Sequence, residues 1–149
     1  LRLNTKEHRM PHLVILYSPN IEGRADLTQL CRDLADTMLA QRDEHDKAVF
    51  PLGGTRVLAY PAAHFAVADG KPPAGKDYAF IYLNLRMGPG RSDAVKQRTG
   101  EALKATLHRH FDPCIQRDLL GVTLQIDDHA PAYDAKISSL HPYFNPPQA

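Results

Sequence analysis

No stretch of this chain approaches the roughly 20 consecutive apolar residues that a membrane-spanning helix needs, so no candidate span is present. An excess of one charge is missing as well. Lys and Arg number 18 and Asp and Glu 17, a net of +1 that is no footprint for nucleic acid. Even this excess is local, because Leu1–Arg9 hold three cations and one anion and the remainder carries 15 against 16. Cysteine is scarce: Cys31 and Cys114 stand far apart, with no CxxC pair and no Cys/His cluster at metal-ligand spacing. Two reduced thiols are the expectation, with a single disulfide as the alternative. HExxH, Walker A and GxSxG motifs are absent, so neither a metal site nor a hydrolase site has support. Leu1–Arg9 lack the apolar core of a signal peptide and are too short for a transit peptide, so the cytoplasm is the expected location.

What is present is an ordinary globular composition. The 149 residues are 43% hydrophobic and 23% charged, enough for one domain with its own core. The near-continuous run Leu13-Val14-Ile15-Leu16-Tyr17 reads as a strand buried on both faces, with Pro11 tolerable because it opens the strand. Asp26 and Gln29 form a capping-box-like pair ahead of Leu27, Leu30, Cys31, Leu34, Ala35, Met38 and Leu39, the spacing of one helical face. Phe50-Pro51-Leu52-Gly53-Gly54 is a turn-rich lead into a second strand from Thr55 to about Val67, interrupted or bent at Pro61. A third strand is predicted over Asp77–Met87, and Ser92 caps a second helix to about Phe111. Gly121–Asp128 alternates as a fourth strand, with Val122, Leu124 and Ile126 facing in. Residues 130–149 hold four prolines without periodicity and read as an extended arm, packed on a neighbouring subunit rather than in the core.

The order β-α-β-β-α-β also echoes itself. Gly23-Arg24-Ala25-Asp26 after strand one matches Gly90-Arg91-Ser92-Asp93 after strand three, 67 residues later, which points to a duplicated β-α-β unit. Three residues carry chemical interest. If translation starts at Met10, the small second residue allows its removal and leaves Pro11 with a free secondary amine. Desolvation or nearby cations can make such an amine a general base near neutral pH; the plainer reading is a strand-initiating proline. Arg56 begins the second strand and must find an anion or stay wet. Arg91 stands between Gly88-Pro89-Gly90 and a helix N-terminus, where both its guanidinium and the helix favour an anion, unless it is a solvated loop residue. The eight histidines are scattered, and His108 and His110, two apart on a helix, point apart.

Pro11-His12, Phe50-Pro51-Leu52-Gly53-Gly54-Thr55-Arg56, Ala68-Asp69-Gly70, Asp77-Tyr78-Ala79-Phe80 and Gly88-Pro89-Gly90-Arg91-Ser92 occur in that order. Together they resemble the 5-carboxymethyl-2-hydroxymuconate isomerase family of the tautomerase superfamily, from Met10 to about Asp128. The resemblance implies an α+β fold of two β-α-β units related by a pseudo-two-fold, with a four-stranded mixed sheet, two helices and a proline-rich C-terminal arm. It implies a homotrimer and a metal-free, cofactor-free keto–enol isomerase of homoprotocatechuate (4-hydroxyphenylacetate) degradation. Pro11 would be the catalytic base, and Arg56 and Arg91 would hold the substrate's carboxylates.

Residues 1–10 depart from this pattern, because a proline inside a peptide bond has no basic nitrogen. They are expected to be an appended tag or a start assigned upstream of the true one. Residues 11–129 form the tautomerase-like domain and 130–149 the arm. Two other readings remain. One is another superfamily tautomerase, of phenylpyruvate type. The other is a non-catalytic trimeric small-ligand module of ferredoxin-like order. RNA binding is disfavoured, since strand three lacks the basic-glycine-aromatic pattern of an RNA-recognition strand.

Overall fold

Strand β1 (His12–Tyr17) buries alternate side chains, with Leu13 and Ile15 fully enclosed and Tyr17 nearly so. This computed structural model describes residues 11–146, and the expected appendage over 1–10 lies outside them. Helix α1 (Leu27–Leu39) follows, with the Asp26 side chain accepting from the Gln29 N–H at 3.0 Å. The reciprocal half of a capping box is not made: the Gln29 amide reaches forward to Asp33 instead. Strand β2 (Arg56–Pro61) then runs parallel to β1, β3 (Tyr78–Arg86) antiparallel to it, and β4 (Leu119–Asp127) parallel to β3 across helix α2 (Asp93–Arg117). The sheet order is β2-β1-β3-β4. The mixed four-stranded sheet of the sequence reading is therefore present.

Both helices lie on one face. Leu30, Leu34 and Met38 of α1 and Val95, Leu103, Leu107 and Phe111 of α2 close over Leu13, Ile15, Ile81, Leu83 and Leu85. Burial of each such side chain stabilises the fold by about 1.5–3 kcal/mol. Val122, Leu124 and Ile126 of β4 pack against the same core, as their alternation predicts. The other face is not covered. Leu16, Leu58 and Tyr60 stand 44%, 42% and 50% exposed on it, so β1 is buried on one face rather than both.

Four boundaries differ from the sequence reading. β2 is interrupted rather than bent at Pro61 and does not resume to Val67, since a proline carries no N–H to extend the ladder and Ala62 closes it on the Tyr17 carbonyl. α2 runs past Phe111 to Arg117 because its buried stripe continues through Cys114, while Pro113 sits on the exposed side. β4 begins two residues early, at Leu119. The C-terminal stretch is not wholly extended. It contains a third short helix, α3 (Leu140–Phe144), which folds back on the 3₁₀ turn Leu52–Gly54 of its own chain.

That contact explains a glycine pair. A Cβ on Gly53 would lie 3.1 Å from the backbone of Leu140 and His141, and one on Gly54 3.1 Å from the His141 ring. The pair serves close approach of α3, not a left-handed turn. Gly23 (φ +84°) and Gly90 (φ +100°), in contrast, share a left-handed conformation ahead of the two helices, which supports the echo between the halves. The echo slips by one residue at the caps: Asp26 and Ser92 are 66 apart, whereas the glycines are 67 apart.

Candidate active site

Sheet topology gathers the three residues singled out in the sequence at one end of the molecule. Pro11 is buried immediately before β1. His12 pairs with Arg56 on one side and with Arg86 on the other, so the start of β1, the start of β2 and the end of β3 are adjacent. Arg56 shares the uncovered sheet face with His12. Pro11 falls on the helix side by the alternation that buries Leu13 and Ile15. Arg91 follows β3 and precedes α2, so it approaches from the helix side. The strand start next to Pro11 thus has Arg56 beside it on β2, and on its other side β3, the strand that leads to Arg91.

The two arginines are held differently. Arg56 is half-buried at the foot of β2, directly after the turn on which α3 rests. Arg91 donates from Nη2 to the Val49 carbonyl at 2.8 Å, and its Nη1 lies 3.7 Å from Asp43 Oδ2. Its side chain is 35% exposed. Ser92 caps α2 through the Val95 N–H and also donates to Glu44. Asp43 itself accepts from the backbone N–H groups of His45 and Lys47 at 2.8 and 2.9 Å. These bonds, led by that from Lys47, hold its carboxyl below the usual range, and Arg91 adds to the effect. The charged run Arg42–Lys47 after α1 is largely exposed but not idle. It folds over the α2 N-terminus and fixes one edge of the Arg91 guanidinium.

Two residues of this end were not singled out as site candidates from the sequence: His12 and Arg86. Burial lowers the His12 pKa below 6.5, and the Arg56 and Arg86 charges lower it further, while Asp134 opposes them. His12 is therefore a neutral imidazole at neutral pH, set between two guanidinium groups. The signal available in the sequence was positional: Arg86 ends its strand on the same alternation as Tyr82 and Asn84. Those neighbours make cross-strand hydrogen bonds, Tyr82 to Gln125 and Asn84 to Asp127, each at 2.8 Å.

Other titratable groups serve the frame. His110 of α2 is bonded to Asp33 of α1 at 2.7 Å, and His108 to Asp112 at the same distance. Lys96 bridges Asp128 and Asp93, which raises its pKa. Tyr17, at the opposite end of β1, is pushed up to about 12 by burial and by its hydrogen bond to Glu22. Cys31 and Cys114 are free thiols. Among the described residues no three His, Cys, Asp or Glu side chains are grouped to hold a metal ion, and no helix is long and apolar enough to cross a membrane.

Comparison with known proteins bears on this geometry. A family model described as 5-carboxymethyl-2-hydroxymuconate isomerase matches residues 11–144. A 5-carboxymethyl-2-hydroxymuconate Delta-isomerase of Escherichia coli is 30% identical over 135 residues, spanning 91% of this chain and 99% of that protein. The crystal structure of a 5-carboxymethyl-2-hydroxymuconate delta-isomerase is 49% identical, with a TM-score of 0.88 over 98% of this chain and 100% of the other. A 5-carboxymethyl-2-hydroxymuconate isomerase from Deinococcus radiodurans R1 is 33% identical, with a TM-score of 0.79 over 95% and 98%.

Proposed function

The chain belongs to the 5-carboxymethyl-2-hydroxymuconate isomerase family, and from that premise we propose that Pro11 is the base of a keto–enol isomerisation. The substrate is 5-carboxymethyl-2-hydroxymuconate, an intermediate of homoprotocatechuate degradation. The Pro11 nitrogen accepts the proton of the 2-hydroxyl; the O–H electron pair forms the C=O bond, and the conjugated double bonds shift by one position. The same nitrogen returns the proton to a chain carbon, giving the 2-oxo product. No atom is gained or lost, so the reaction calls for no redox partner.

The observation that carries this reading is placement. Pro11 stands immediately before β1, whose first residue pairs with Arg56 on β2 and with the end of the strand that leads to Arg91, and the family match begins at Pro11. Arg56 and Arg91 hold carboxylates and stabilise the negative charge of the dienolate. Their two positive charges also disfavour a third on the proline, which keeps its nitrogen unprotonated and basic. The active form begins at Pro11, without residues 1–10, since an amide nitrogen cannot take this role. Residues 11–129 are its tautomerase-like domain and 130–149 an arm whose α3 segment braces the turn before Arg56. The uncovered sheet face, with Leu16, Leu58 and Tyr60 exposed, supports assembly as a homotrimer. The location is the cytoplasm.

The test is a UV assay of the form that begins at Pro11. Dienol-to-ketone conversion of 5-carboxymethyl-2-hydroxymuconate is expected at a kcat/KM well above that for phenylpyruvate. The reverse order would assign the chain to a phenylpyruvate-type tautomerase. Turnover of neither would leave a ligand-binding module.

A further inference from the structure

The end of the sheet that carries Pro11 holds more positive charge than the two arginines assigned to the substrate. Arg56, His12 and Arg86 lie side by side on β2, β1 and β3, on the uncovered face. Directly paired residues on neighbouring strands stand about 5 Å apart, and like charges so placed destabilise a sheet. The row is tolerated because its middle member is neutral, its imidazole pKa lowered by burial and by both flanking cations. Arg86 itself is exposed, and among the described residues no carboxylate lies within ion-pair distance of its guanidinium. Asp127, its partner on β4, is taken up by the Asn84 amide at 2.8 Å. Asp134 reaches His12 electrostatically and lies 3.7 Å from Lys136. Arg24, Lys96 and Arg91, in contrast, each have a carboxylate partner. Among the described residues Arg86 is thus a cation at the candidate site that makes no ion pair.

The substrate proposed above carries three carboxylates: two belong to the muconate chain and one to the carboxymethyl branch. Arg56 and Arg91 suit the two that end the reacting chain. Arg86 stands across β1 from Arg56, on the strand that leads to Arg91, and is a further cation at this end for the third carboxylate. We infer that Arg86, with His12 as a hydrogen-bonding neighbour, binds the carboxymethyl carboxylate and so determines specificity for a tricarboxylate over a dicarboxylate. The inference rests on the substrate reading above.

The experiment compares kcat/KM for 5-carboxymethyl-2-hydroxymuconate with that for 2-hydroxymuconate, which reacts identically but lacks the branch. Arg86→Gln is expected to reduce the preference for the tricarboxylate about tenfold, a change of about 1.4 kcal/mol, chiefly through KM. Arg86→Lys is expected to restore most of it. A preference unchanged in Arg86→Gln overturns the inference. So does an unchanged preference accompanied by loss of the assembled mass, since the row would then bridge copies of the chain. A second arm does not depend on turnover. Binding of propane-1,2,3-tricarboxylate, followed through the His12 ring resonances, is expected to weaken about tenfold in Arg86→Gln, while binding of glutarate changes far less. Should the protein turn over neither substrate, the reaction assignment fails and this arm still decides the role of Arg86. Equal effects on both acids would overturn it.

Discussion

With residues 1–10 still attached, the protein is expected to lose at least about a thousandfold in kcat/KM relative to the form that begins at Pro11. General acid–base groups contribute on the order of 10²–10⁴ in rate, and acylation of the Pro11 nitrogen removes the group outright. The lone pair of an amide nitrogen is delocalised into the carbonyl and binds no proton near neutral pH. His12 is held neutral between two arginines, but its side chain is on the uncovered face and not on the Pro11 side. Mass spectrometry of each preparation establishes which N-terminus is present, and the UV assay compares the two. Activity equal in both forms would mean that the amine takes no part.

Arg91→Gln is expected to lower kcat/KM by about 10²–10³, the effect of removing one preorganised donor from developing negative charge. Preorganisation is visible in the structure. The Val49 carbonyl and Asp43 fix one edge of the guanidinium, and the remaining N–H groups can meet a carboxylate without first losing rotamer freedom. Glutamine keeps a donor but not the charge or the fork, so part of the loss is expected in kcat as well as in KM. A purely structural role for Arg91, tying residues 43–49 to the start of α2, would instead lower the melting temperature and leave kcat/KM of the surviving folded protein intact.

The candidate residues Pro11, Arg56 and Arg91 are legible in the sequence from their positions at strand and helix starts, and the pairings of β1 set Arg56 on one side of its start and the strand that leads to Arg91 on the other. Local chemistry sufficed for the N-caps as well: Asp26 and Ser92 both accept from the helical N–H groups their spacing implies. What the sequence hid was long-range. Arg86 has no motif around it, and its interest arises only from register with His12. Gly53-Gly54 reads as a turn, yet the glycines are small because α3, almost ninety residues on, rests on them. The run Arg42–Lys47 reads as solvated surface because charged residues near a helix end usually are. Its role in holding Arg91 depends on where the next helix begins. Pro113 marks a helix end in most contexts and does not here, because it faces solvent on a helix that still has core to cover.

The central claim is that the secondary amine of Pro11 carries the proton. The most direct measurement is kcat/KM for 5-carboxymethyl-2-hydroxymuconate in Pro11→Ala, made with the same free N-terminus and shown to be folded. Alanine leaves a primary amine without the ring that fixes its direction, so a loss of at least about a hundredfold is expected, with KM little changed because the arginines remain. Activity within about twofold of the unmodified protein would contradict the assignment.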